Sequence, residues 1–522
     1  MVLLAVCDRE LIQSCLAEAG VCPRCCLRFT GERFSKCYKE LGAEINTETE
    51  QCKKARPNCC VACLGTLQDH LMVPLLDQVA DSINTCGYDA ESFSLTMSLP
   101  LCIAIRQHAL LVHLRHGWIF FKILLKRPKL AKKILKLWQI LQRISICKLR
   151  NKLPASCMDG LRDDQVVAIK QVWKYIYPDL VADKVKREHL YEENGFSAEV
   201  QAEWIEDSKE LEVMPLICPE EYATRAKNIH VYNMGVYSRM GVEKSLSGVD
   251  DILFSDHYPV PPTVPSSSVT VTTKLQRGSC FIGGRYCKYS RELPQTPWLI
   301  NNVRMRETSV EELLADCVNP TIRASELKFL ASGREDVDVR MLGSGRPFAL
   351  ECCNPKRTRL SAEELLQLEQ AFNAKNCDIS VHELRIVSKA SLKKLKEGEE
   401  EKKKFYTALC VTSEPVDKEK FQEIAKLKDL SLQQETPIRV LHRRANAMRN
   451  KMVHSMSFST EGLQHNMFKI DLLTSAGTYV KEFVHGDFNR TKPNLKTLLG
   501  VDTDILALDV MEVQLPWPPV GN

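Results

Sequence analysis

The stretch ASGREDVDVRMLGSGRPF, residues 331–348, sets three carboxylates, Glu335, Asp336 and Asp338, between Arg334 and Arg340. A glycine-flanked turn carrying Arg346 follows. Three chemistries compete for it. Asp336 and Asp338 at D-x-D spacing could offer hard oxygens to magnesium or manganese. The bracketing arginines oppose a further cation, which makes this the weakest reading. A solvated turn leaves the apolar and glycine-rich frame unexplained. The third reading is one nucleophilic or basic aspartate kept ionised by a nearby cation. In an extended segment Asp336 and Asp338 would share one face, with Glu335, Val337 and Val339 on the other.

A second constellation is Cys22-Pro-Arg-Cys25 with Cys60-Val-Ala-Cys63. Two C-x-x-C knuckles bring four sulfurs to one tetrahedral ion, so Cys22, Cys25, Cys60 and Cys63 are the expected ligands of a structural zinc. Such a site is closed and leaves no position for substrate. A redox pair or plain buried thiols are the alternatives. Cys26 and Cys59 flank the pairs, and Cys218 in ICPEEY has no C-x-x-C partner.

The chain around these groups has 522 residues, enough for two or three domains, with 44% apolar and 26% charged residues, as in soluble globular proteins. A net charge of +5 announces no polyanion partner, so local basic clusters must carry that argument. The opening MVLLAV is too short for a signal-peptide core. The most apolar run, WIFFKILLKRPKL, is broken by Lys122, Lys126 and Arg127, so no membrane span is expected. The 22 cysteines then read as free thiols or metal ligands in a reducing compartment.

Elements must position these groups. SFSLTMSLP, NMFKIDLLT and HELRIVS alternate like strands. Ser309-Val-Glu-Glu312 and Ser361-Ala-Glu-Glu364 are capping boxes that open leucine-bearing helices. The charge run KEGEEEKKK, 396–404, reads as a solvated turn. YPVPPTVPSSSVT, 258–270, reads as a linker or long loop. The basic, leucine-rich stretch of about 117–155 has no acid in it and reads as a solvated insertion, with an amphipathic helix for RNA or a membrane surface as the sharper alternative. Interleaved helices and strands without a phosphate-cradling glycine loop predict an α+β fold around a mixed or antiparallel sheet.

With these residues in view, GREDVDVRMLGSGRPF resembles the catalytic motif of pseudouridine synthases. It is most similar to the archaeal and eukaryotic tRNA pseudouridine(54/55) synthase family, which carries an N-terminal THUMP-containing domain. GGRYCKYSRELPQTPW (283–298) resembles the segment leading into that family's forefinger loop, which would run on through LINNVRMRE. KKFYTALC resembles its K-x-Y-x-A motif, TPIRVLHRRANAMR (436–449) its thumb loop, and AGTYVKEFVHGDFNRTKPN (476–494) its G-T-Y-[IV]-[KR] motif. CPRC and CVACLG resemble its zinc ligands. The basic stretch after Gly117, the short spacing between the cysteine pairs and the single cysteine of ICPEEY depart from the family pattern.

The resemblance implies a catalytic Asp336, an active-site Tyr406 and a Lys481 paired with Asp336. It implies RNA-binding roles for Arg304 and Arg306 in the forefinger and for Arg439, His442, Arg443 and Arg444 in the thumb. Residues 1–75 would form a zinc-bearing module, 76–257 a THUMP-like accessory region, 258–270 a linker and 271–522 the catalytic domain. The implied activity is isomerisation of uridine in the TΨC loop of tRNA, at positions 54 and/or 55, with base flipping and no organic cofactor. Tyr406 would stack on the flipped base, and its phenol could also help remove the C5 proton. The expected partners are tRNA and further structured RNAs, with a monomeric chain in nucleus and/or cytoplasm and a mitochondrial location left open. A non-catalytic RNA-binding factor on the same fold is the alternative. His485 and Asp487 read as structural, Asp338 as a partner for a nearby arginine or backbone group, and Glu335 as the acid whose loss would matter least to the chemistry.

Overall fold

The computed structural model describes residues 6–47, 59–126, 165–192, 195–227, 236–401, 403–442 and 444–519. Most of the basic stretch 117–155 therefore lies outside the described residues. The chain divides into two compact units, Met1–Gln276 and Arg277–Asn522.

The first unit carries a four-stranded sheet of order β2-β1-β3-β4, from β1 (Ser92–Ser98), β2 (Glu188–His189), β3 (Phe196–Glu203) and β4 (Thr270–Arg277). β1 is the SFSLTMS alternation, and its Phe93, Leu95 and Met97 point into the core. It pairs in parallel with both neighbours. Helices Asp69–Thr85 and Ile169–Val185 bury Leu76, Val79, Trp173 and Tyr177 in the same core. Cys22, Cys25, Cys60 and Cys63 belong to that cluster as well. The cysteine region is thus packed into the core of the first unit.

The proline-rich stretch 258–270 is not a free linker. Tyr258 and Val269 are buried in the first unit. The Ser267 carbonyl accepts from Trp204 Nε1 at 3.0 Å, and the Thr263 carbonyl accepts from Arg106. Apolar residues between the prolines anchor the segment, and the unit boundary falls after Gln276.

The second unit is built on one large sheet. Its strands are β5 (Cys280–Lys288), β8 (Glu326–Ala331), β9 (Arg340–Cys353), β10 (Ile379–Val387), β11 (Lys404–Thr412), β12 (Leu430–Glu435), β13 (Met448–Ser459), β14 (Met467–Thr474), β15 (Thr491–Lys492) and β16 (Thr503–Val513). The order is β10-β5-β9-β16-β11-β14-β13-β12-β15, with β8 on β9. All pairs are antiparallel except β9 with β16, so the sheet is mixed, and the fold is α+β as expected. A separate hairpin, β6 (Leu299–Ile300) and β7 (Val303–Arg304), turns through Asn301 and Asn302, both at positive φ. β9 bends at Gly343, where a Cβ would stand 1.9 Å from the Met511 carbonyl oxygen, so only glycine fits.

Ser361 and Glu364 form the predicted capping box of helix Ala362–Lys375. Ser309 caps helix Val310–Ile322, accepting from the Glu312 N–H. The charge run departs from expectation, because helix Leu392–Glu401 takes in its first half.

Candidate active site and metal centre

The acidic stretch is a tight connection between β8 and β9 rather than an extended strand. The Val339 N–H donates to the Asp336 carbonyl at 3.1 Å, and Gly333 takes a positive φ of 83°. Consequently the acids do not sort by alternation. Glu335 points inward, Asp336 is half-buried and Asp338 is exposed.

Beneath the turn, Glu335 and Arg346 form an ion pair of 2.6 Å with side chains 0% and 1% exposed. Tyr286 Oη donates to Glu335 at 2.7 Å, and Gln295 Nε2 donates to Tyr286 Oη and to the Gly333 carbonyl. Arg346 also donates to the Ser332 carbonyl. Burial acts to lower the Arg346 pKa, and the charge of Glu335 more than offsets it. Lys288 is fully buried, and its Nζ donates to the carbonyls of Leu293, Asp336 and Val337 at 2.9, 3.1 and 2.8 Å. Three donors of an ammonium match three acceptors. The backbone at Asp336 is thereby fixed from below.

The far end of the turn is held by Asp509 on β16. Its carboxylate accepts from Arg340 at 2.6 and 2.8 Å and from Arg291 at 2.6 Å. Arg291 also donates to the Asp338 carbonyl. Burial would raise the Asp509 carboxyl, but the two arginines outweigh it and hold it below the usual range. A carboxyl lowered on folding stabilises the protein above its unfolded value of about 4 and loses that contribution as pH falls through the folded value. The stability gap between wild type and Asp509→Asn should therefore be constant between about pH 6 and 8 and shrink below about pH 4. Urea unfolding across pH measures it. An equal gap at pH 3 and pH 7 would refute the assignment.

Asp336 meets two cations. Its Oδ2 accepts from Arg439 Nη1 at 2.6 Å, while Lys481 Nζ stands 3.6 Å away. Lys481 instead donates to both oxygens of Asp338, at 2.7 and 2.9 Å. The expected pairing of Lys481 with Asp336 is present as the longer of its two ion pairs, and Asp338, expected to meet an arginine or a backbone group, takes that lysine as its side-chain partner. Burial opposes ionisation of Asp338, but Lys481 more than offsets it and holds the carboxyl low. Arg439, expected only as an RNA contact, spans Asp336 and the buried Glu482, with 2.6 Å to each.

Local order explains that placement. Gln434 is fully buried, and its side-chain amide accepts from the Tyr479 N–H and donates to the Tyr479 carbonyl. This sets the start of helix Val480–His485, which carries Lys481 and Glu482 in its first turn. Asp487 accepts from the Ile438 N–H and so fixes the turn that carries Arg439, which gives the structural reading of this acid a definite contact. The His485 ring accepts from the Asp487 N–H.

Tyr406 lies on β11, partly exposed, within the field of Arg346 and Glu335. Burial, more than the opposing charges, pushes its phenol up to about 12. Near pH 7 it is a neutral phenol, not a phenolate.

The loop cations are more engaged than surface arginines on a free loop. Arg304 pairs with Glu312 at 2.6 Å and also donates to the Glu307 carbonyl, and Arg306 stands 3.6 Å from Glu292. The hairpin they flank exposes Leu299, Ile300, Val303 and Met305. In the thumb stretch His442 and Arg444 are exposed, and Arg444 donates to Tyr479 Oη at 3.2 Å. Arg443 lies outside the described residues.

Sequence reasoning missed Lys288, Arg346, Glu482, Gln295 and Asp509. Glu482 directly follows the lysine of the G-T-Y-V-K match, and Lys288 sits inside the quoted GGRYCKY, so both were within sight. Nothing in the local pattern marked Asp509.

In the first unit, Cys22, Cys25, Cys60 and Cys63 are buried with their sulfurs all within 4.8 Å of one another. Four sulfurs at 2.3 Å around a tetrahedral ion would stand about 3.8 Å apart. Cys22 and Cys63 are 3.9 Å apart, so the four residues fit a metal ion. The flanking thiols are directed elsewhere, Cys26 to the Val21 carbonyl and Cys59 to the Ser267 carbonyl.

Two family models match the chain, one described as "Pus10, C-terminal" over residues 281–514 and one as "Eukaryotic Pus10, N-terminal" over 60–153 and 136–275. The second takes in the basic stretch that the sequence reading sets apart as an insertion. The human protein named tRNA pseudouridine synthase Pus10 is 33% identical over 98% of both chains. A putative tRNA pseudouridine synthase Pus10 of Drosophila melanogaster is 32% identical over 98% of this chain and 97% of its own. One from Thermofilum pendens is 37% identical over 46% of this chain and 54% of its own.

Proposed function

The chain belongs to the Pus10 family, and on that premise we propose that it isomerises uridine to pseudouridine in tRNA, with the carboxylate of Asp336 acting at the ribose. The observation that carries the site assignment is the carboxylate itself. Asp336 is half-buried on a backbone-locked turn, with Arg439 at 2.6 Å and Lys481 at 3.6 Å from one oxygen.

Both cations stand beside the same carboxylate oxygen, on the side where Arg439 and Lys481 are anchored. The reaction breaks the C1′–N1 bond, turns the uracil and forms a C1′–C5 bond. N1 gains a proton and C5 loses one, so the change is isomeric and no organic cofactor is called for. Asp336 acts on the sugar as nucleophile or base, and the cations stabilise its charge as water leaves the site. The uridine must leave its stack to reach the turn. The forefinger hairpin and thumb stretch supply cations for the flanking phosphates. The targets we propose are uridines 54 and/or 55 of the TΨC loop, with the first unit, THUMP-like in our reading, holding the rest of the tRNA by shape. The four cysteines hold a structural zinc with no open coordination position.

The direct test is tritium release from C5-labelled uridine in unmodified tRNA, followed by mapping of the new pseudouridines. No release from any tRNA would sink the proposal.

Tyr406 is assigned as the platform for the flipped base. Tyr406→Leu should lower kcat/KM by roughly 10- to 150-fold, the worth of one base–aromatic stack, whereas Tyr406→Phe should stay within about fivefold of wild type. If Tyr406→Phe is as damaged as Tyr406→Leu, the hydroxyl matters more than the ring, and proton transfer at C5 becomes its role.

A further inference from the structure

Three buried arginines surround the four-cysteine group. Arg24 donates to the carbonyls of Tyr38 and Leu67 and is neutralised by Asp69 at 2.5 and 2.9 Å. Arg106 donates to the carbonyl of Val61, inside the second knuckle, and is neutralised by Glu210. Arg28, in helix Pro23–Phe29 one turn after Cys25, is different. It is fully buried, yet its partners among the described residues include no carboxylate. Nη1 donates to the Gln107 side chain at 2.7 Å and to the Val167 carbonyl at 3.2 Å. Nη2 makes no hydrogen bond, and the face of Phe29 lies 4.7 Å from the guanidinium carbon. Nε donates to the sulfur of Cys25 at 3.4 Å.

A buried guanidinium without a counter-charge is strongly disfavoured, and an aromatic face offsets only part of that cost. The counter-charge must lie among its neighbours, and the cysteine group is the one that can supply it. Four thiolates around a divalent ion carry a net charge of −2, by −4 from the sulfurs and +2 from the metal. Arg24 and Arg106 are already balanced by their own carboxylates, which leaves that charge to Arg28.

We propose that Arg28 is the outer-shell cation of the metal centre: its Nε–H holds the Cys25 sulfur in place, and its charge offsets the excess charge of the loaded site. Hydrogen-bonded outer-shell groups orient their ligands and commonly govern metal retention. The same residue ties the centre to helix Cys102–Lys126 through Gln107 and to the strand of chain at Val167, whose N–H donates back to the Arg28 carbonyl at 3.1 Å. This inference rests on the zinc reading of the four cysteines, and its test separates the two.

Full-length protein is loaded with zinc, its metal content is measured, and zinc transfer to a competing chelator is followed for wild type, Arg28→Met, Arg28→Lys and Gln107→Leu. One zinc per wild-type chain upholds the reading of the site, and none would remove it before the variants are considered. Arg28→Met should bind zinc about 10- to 100-fold more weakly than wild type. Arg28→Lys, which keeps the charge but not the Nε–H, should fall between the two and serves if the methionine variant does not fold. Gln107→Leu, which removes one acceptor of Arg28 Nη1 but leaves the charge and the Nε–H in place, should weaken zinc binding clearly less than Arg28→Met. In cobalt-loaded protein, loss of the N–H···S bond should also shift the thiolate-to-metal absorption bands. Wild-type retention in both arginine variants would overturn the proposal. So would an equal loss in Gln107→Leu, because packing rather than charge would then be responsible.

Discussion

Asp336→Asn should lower pseudouridine formation by about 1,000-fold or more while tRNA affinity stays within about threefold of wild type. The structure makes this substitution unusually selective. The amide is isosteric with the carboxylate, so the turn has no reason to move. Lys288 holds the Asp336 backbone through its carbonyl, not through the side chain. Arg439 keeps its 2.6 Å contact with Glu482, and Lys481 keeps Asp338. Both cations thus remain anchored when the charge between them disappears. Removing one negative charge near a phosphate path should, if anything, strengthen binding slightly. Tritium release measures the first quantity and filter binding the second. Near wild-type turnover would refute the catalytic assignment. A parallel collapse of binding and turnover would show that Asp336 builds the RNA surface instead.

How much of this was legible depended on whether the information was local. The four cysteines could be read from spacing alone because a knuckle is a local structure, and the sulfurs do converge. NMFKIDLLT read correctly as a strand because period-two burial is written along the chain, while HELRIVS is a strand whose burial does not alternate, its register shifting between His382 and Arg385. Arg439 could not be ranked above its neighbours in RVLHRR. What singles it out is Glu482, which arrives from a helix more than forty residues later. Lys481 could be matched to Asp336 but not to Asp338 as well, because a tight turn, not a strand, brings both carboxylates within its reach. The stretch 258–270 looked like a linker because prolines and serines hide the few apolar anchors that dock it.

The acid judged least important is the one whose loss should cost most stability. Glu335→Ala should destabilise the second unit by about 3–5 kcal/mol, because it strands the Arg346 guanidinium in the interior. In the sequence Glu335 is one acid among three beside Arg334, and nothing there distinguishes an inward from an outward side chain. In the structure its partner comes from across the β9 bend, the pair excludes solvent, and Tyr286 Oη spends its proton on the same carboxylate. Truncation leaves that hydroxyl and the guanidinium without their acceptor. For a unit of this size each kcal/mol is worth about 2–4 °C, so the second unit should melt roughly 10 °C lower. Glu335→Gln keeps an acceptor but not the charge and should fall between. Replacing both partners, Glu335→Met with Arg346→Met, should cost less than the two single changes added together, since no charge is then left unpaired. Asp338→Asn on the same turn removes only an exposed ion pair and should cost under about 1 kcal/mol. Turnover should fall in Glu335→Ala even where the protein stays folded. Arg346 and Gln295 hold the Ser332 and Gly333 carbonyls, and their own support is the carboxylate that has gone. Thermal unfolding of these six variants decides the matter. A Glu335→Ala protein as stable as Asp338→Asn would show that the buried pair contributes nothing to the turn that presents Asp336.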